Sequence, residues 1–127
     1  MRIALDFDGV IHSHTSPWTD AHEILDGPVP GALAFIRSAI DAGFTVAIHT
    51  ARANTASVVP HIHAWLARHG LEERYAWLIE VTALKQSAHV YIDDRGWRFE
   101  GTFPTLEEIG ALKPWNAPAT TGDGGAP

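Results

Sequence analysis

The run Ile3-Ala4-Leu5-Asp6-Phe7-Asp8-Gly9-Val10 constrains this chain more than any other stretch. Its apolar start reads as a buried strand, and two carboxylates one residue apart stand where that strand meets a glycine. Ionised carboxylates leave water only at high cost unless they are paired or hold a cation. Acids capping a core strand therefore point to a cation site, a catalytic site, or both. Asp-x-Asp alone fits an ordinary strand-to-loop transition equally well, so the residues downstream must decide.

With 127 residues the chain has room for one domain with a real core. Hydrophobic and charged shares of 46% and 19% are those of a soluble globular protein. A formal net charge of -6 argues against a broad nucleic-acid-binding surface or an anionic-membrane surface, while leaving room for a local grip on one phosphate. The absence of cysteine excludes disulfides and thiolate metal sites. A carboxylate at Asp6 comes too early for a signal peptide, and no apolar run approaches the ~20 residues of a membrane span, so a cytoplasmic setting is expected.

After a first strand over Arg2 to Phe7, Gly9 permits a sharp turn. The stretch from His12 to Pro28 is rich in Pro, Gly, Ser and Thr and predicts, apart from a short hairpin, a flap beside the aspartates. Pro30 opens a helix carrying Leu33, Ile36, Arg37 and Ile40 at helical spacing, with Gly43 as its stop. Phe44 to His49 is a second strand, and Ala56 to His69 a second helix with Val59, Ile62, Trp65 and Leu66 inward. Ala76 to Val81 reads as a third strand, although Trp77-Leu78-Ile79 also suits the close of a helix. His89 to Ile92 is a fourth strand running into Asp93-Asp94-Arg95-Gly96, and Trp97 to Phe99 suggests one more. Thr105 and Glu108 have the spacing of a capping box, opening a last helix to Leu112. Residues 1–113 thus form a single domain, and 114–127 have the small, polar composition of a flexible tail.

This order of strands and helices predicts an α/β fold: a Rossmann-like, three-layer, mostly parallel open sheet with helices on both faces. Ligands of such sheets bind beyond the carboxyl ends of the strands, where the strand order reverses. Asp6 and Asp8, Thr50, Lys85, and Asp93 with Asp94 each follow a predicted strand. All are therefore expected at one edge.

Asp6-Phe7-Asp8-Gly9-Val10, then Thr50, then Lys85, then Asp93-Asp94, resembles in order and setting the four motifs of the haloacid dehalogenase-like superfamily. The resemblance covers about residues 1 to 100 and implies a magnesium-dependent phosphatase working through an aspartyl phosphate. Phosphate-ester chemistry agrees, because a dianionic monoester repels anionic nucleophiles until its charge is neutralised and its geometry held. By this resemblance Asp6 is the nucleophile and Asp8 the general acid and base. Mg²⁺ would be held by Asp6, the backbone carbonyl of Asp8 and the Asp93-Asp94 pair, with Asp94 favoured as the direct ligand. Lys85 supplies positive charge near nucleophile and phosphate, and Thr50 a hydroxyl donor.

Arg52 and Arg95 are candidates for a second substrate group, competing with local ion pairing. Arginine after the acidic pair also resembles deoxyribonucleotidases and polynucleotide phosphatase domains, which points to a nucleotide, another phosphorylated small molecule or a nucleic-acid terminus as substrate. His12 and His14 are either solvated or reach substrate from the flap, and Trp18 either stacks on a base or closes the core edge. His61, His63 and His69 lack the spacing of a transition-metal site.

About 20 residues between Gly9 and Pro30 leave no space for an inserted cap domain. Within the superfamily a capless site implies a bulky substrate, or a cap donated by a second subunit in a homo-oligomer. Two rivals remain: a receiver-like phosphoacceptor, whose acidic motifs run in the opposite order, and a non-catalytic binding module or subunit of a larger nucleotide-handling assembly.

Overall fold

The structure is a computed structural model, described for residues 1–113 and 115. Four parallel strands, β1 (Arg2–Asp6), β2 (Thr45–His49), β3 (Glu80–Thr82) and β4 (Val90–Ile92), lie in the order β3-β2-β1-β4. The chain steps from β1 outward to β2 and β3, then crosses back to place β4 on the other side of β1. The strand order therefore reverses between β1 and β4.

Two helices make those outward steps. In α1 (Ala32–Asp41), Leu33, Ile36 and Ala39 are buried at helical spacing; in α2 (Val58–Arg68), Val58, Ile62, Trp65 and Leu66 are. Pro60 sits in the first turn of α2, where its missing N–H breaks no intrahelical bond. Ile3 pairs with Val46, and Leu5 with Ile48 and Ile92, so these side chains share one face, and they form a single core with the buried residues of both helices. Both long helices thus cover the same side of the sheet.

The other side departs from the three-layer expectation. Ala4 lies between Ala47 and Tyr91, and both alanines are buried. What crosses this face is the connection from β3 to β4. His49 Nε2 donates to the Ala83 carbonyl, Arg2 bonds the Gln86 side chain, and Tyr91 Oη donates to the Gln86 carbonyl at 2.5 Å. Methyl side chains let that loop lie close on the sheet where a helix was expected. The last helix, α4 (Leu106–Ala111), has the predicted Thr105/Glu108 capping box yet buries none of its residues.

A short helix, α3 (Glu73–Ala76), ends on the first residue of the stretch read as the third strand, and the strand itself begins only at Glu80. Residues 97–99 form no strand. Apart from Trp115, the tail expected over 114–127 lies outside the described residues. Among those described, no helix is long and apolar enough to cross a membrane.

Candidate functional site

Asp6 closes β1, and Asp93 and Asp94 follow the neighbouring β4, so the strand pairing brings residues from opposite ends of the sequence to one rim. One carboxylate oxygen from each of the three lies within 4.8 Å of the others. Gly9 belongs to this arrangement through what it lacks. Its φ is +87°, and a Cβ there would collide with the Asp94 carboxylate. Burial, then the charge of Asp93 and a hydrogen bond shared with Asp94, push the Asp6 carboxyl up from 3.8 to about 8. Among the described residues no basic side chain forms an ion pair with any of the three. Hard oxygen donors crowded without a counter-charge suit a divalent cation that takes carboxylate ligands.

Asp8 does not aim its carboxylate at this cluster. Arg52 Nε donates to both of its oxygens at 3.1 and 2.8 Å, and His12 Nδ1 lies 2.8 Å from Oδ1. Burial works to raise the Asp8 carboxyl, but the bonds to His12 and Arg52 outweigh it and hold it below the ordinary range. His12 Nε2 accepts the Asp26 N–H at 3.1 Å, which leaves Nδ1 as the ring nitrogen that donates to Asp8. Buried and bonded through both nitrogens, His12 is neither of the things expected of it; it ties the flap to the end of β1.

Arg52 follows the local ion-pairing reading, though buried rather than at the surface. It is 3% exposed, and its Nη1 donates to the carbonyls of Asp20, Ala21 and Glu23 at 3.4, 2.7 and 3.2 Å. Its guanidinium also lies 4.6 Å from the Trp18 ring centroid. A guanidinium spent on Asp8 and three flap carbonyls is not free for substrate phosphate. Trp18 likewise gives one face to Arg52 and an edge contact to His14. His14, half-buried with a φ of 55°, places Nδ1 3.7 Å from Asp8 Oδ1.

Thr50 is buried at the end of β2, where its Oγ1 accepts the Arg52 N–H at 3.2 Å and keeps its own hydrogen to donate. Lys85 is exposed, its Nζ 5.1 Å from the Tyr91 ring centroid rather than against a carboxylate. Arg95 is exposed beside the cluster, and its backbone N–H donates to Asp93 Oδ1 at 2.7 Å. His61, His63 and His69 are not gathered: they meet His22, the Ile79 carbonyl and Trp65 respectively.

Two residues carried no signal in the sequence. Asp26 accepts from Ser16 Oγ and from the N–H groups of Thr15 and Ser16 at 2.6 to 2.9 Å, while its carbonyl takes the Trp65 indole N–H at 3.0 Å. Trp115, in the stretch read as tail, donates its indole N–H to the Gly9 carbonyl at 2.7 Å. Compared with protein-family models, curated protein sequences and solved structures, the chain gives no significant match.

Proposed function

We propose that this protein is a magnesium-dependent phosphomonoesterase of the haloacid dehalogenase-like kind, built on a small Rossmann-like open sheet without a cap domain. The observation that supports it most is the meeting of Asp6 with Asp93 and Asp94 at the point where the strand order reverses. Asp6, Asp94 and Asp93 would hold the ion, with the Asp8 carbonyl as the expected backbone ligand. Magnesium bound there supplies charge neutralisation for the phosphoryl oxygens and orients the ester.

In this reading an Asp6 oxygen attacks phosphorus and the ester oxygen leaves as an alcohol, taking the proton of a protonated Asp8. Water then gives a proton back to Asp8 and attacks the aspartyl phosphate, returning the Asp6 carboxylate and releasing inorganic phosphate. The Thr50 hydroxyl donates to a phosphoryl oxygen, and Lys85 reaches the phosphate by leaving the Tyr91 ring. Acid and base duty by Asp8 requires its carboxylate to turn from Arg52 toward Asp6, because an anion held by guanidinium and imidazole is a poor proton donor. The exposed Arg95 suits a second polar group on a nucleotide-type substrate.

The test is hydrolysis of p-nitrophenyl phosphate and nucleoside monophosphates with Mg²⁺ or with chelator. Chelation and Asp6→Asn are each expected to abolish turnover; activity surviving Asp6→Asn removes the nucleophile. A second reading, a module that binds cation and phosphate without turnover, is favoured by the Asp8–Arg52 pair. It predicts Mg²⁺ binding with no hydrolysis of any ester.

A further inference from the structure

An open site must hold the non-phosphate part of its substrate with whatever stands on its rim. Trp18 gives one face to Arg52 and makes a T-shaped contact with His14. Trp115 is different. Its indole N–H is pinned to the carbonyl of Gly9, the residue that follows Asp8 and packs against the Asp94 carboxylate. The bond holds one edge of the ring at the site, yet the residue remains 64% exposed. An exposed aromatic ring held beside the acidic cluster is suited to stacking.

We infer that Trp115 is the platform on which the leaving group stacks, and that this group carries a nucleobase. The inference rests on the phosphomonoesterase reading and specifies its substrate class. A nucleobase gives that ring a flat face to stack on. A phosphotyrosine also carries a ring, joined directly to the ester oxygen, and is the competing occupant. The acids around the platform disfavour a second anionic group, so a substrate with a single phosphate fits best. Arg95 beside the cluster is available to the sugar or base.

The experiment compares KM and kcat of the full chain with Mg²⁺ for adenosine 5′- and 3′-monophosphates, ribose 5-phosphate and phosphotyrosine, in native, Trp115→Ala and Trp115→Phe forms. Trp115→Ala is expected to raise KM for the adenosine phosphates about five- to a hundredfold, with kcat little changed. Ribose 5-phosphate should be unaffected, and Trp115→Phe should recover most of the loss. An equal change for ribose 5-phosphate, no change for the adenosine phosphates, or an effect confined to phosphotyrosine overturns the inference. If no ester is hydrolysed, the phosphatase reading falls separately. The platform is then judged by calorimetric titration with adenosine: binding lost in Trp115→Ala supports it, and indifference to the substitution overturns it.

Discussion

Asp26 shows how much a single flap residue can do without any motif around it. Burial tends to raise its carboxyl, but the Ser16 hydroxyl and the Ser16 and Thr15 N–H groups hold it below the ordinary value of 3.8. An acid depressed by folding adds stability that is complete above its unfolded value and is lost as pH falls through the lower folded value. The melting temperature of Asp26→Asn should therefore lie below that of the native chain at neutral pH, and the gap should close below about pH 4. Arg52 predicts a larger effect. Its removal takes the guanidinium from buried Asp8 and leaves only imidazoles beside it, and Arg52→Ala should cost about 3–5 kcal/mol in denaturant unfolding, with Arg52→Lys recovering little because the forked contacts cannot be replaced. Gly9→Ala acts on the site itself. The added methyl group needs the space of the Asp94 carboxylate, so Mg²⁺-dependent turnover should fall about 100-fold, and the left-handed backbone should cost about 1–2 kcal/mol of stability besides.

At the scale of elements, the β3-to-β4 connection is the least conventional part. A parallel crossover normally brings a helix back over the sheet, and here a loop lies on a surface made shallow by Ala4 and Ala47. Ala47→Leu should overpack that interface and cost about 1–3 kcal/mol without reaching the acidic cluster; unchanged stability would mean the loop does not seal this face. Helices α1 and α2 were legible because their apolar residues recur at helical spacing across ten and eleven residues. The third strand was misplaced at its start, since Trp77-Leu78-Ile79 has no periodicity to distinguish strand from helix end, and only pairing with β2 sets where β3 begins. Trp97 to Phe99 has strand-forming residues and no strand partner, so propensity alone misled.

Across the whole molecule, the decisive property is the convergence of Asp6 with Asp93 and Asp94. If that cluster holds a cation, Mg²⁺ at 100 times its Kd should stabilise the chain by about 2.7 kcal/mol, and Asp94→Asn should remove most of this gain in a thermal melt. The sequence by itself determined the class of fold, the strand ends carrying the acids and the position of the glycine, because periodicity and local backbone chemistry are properties of neighbouring residues. It also sufficed to name the acidic cluster, since parallel strands must align their carboxyl ends. Only the tertiary structure decided that Asp8 and His12 face Arg52 and Asp26 rather than the cluster, that one face of the sheet is closed by a loop, and that Trp115 returns to Gly9. Each of those depends on which distant group a side chain finds when it leaves water, and partners separated by tens of residues leave no periodic trace in the chain.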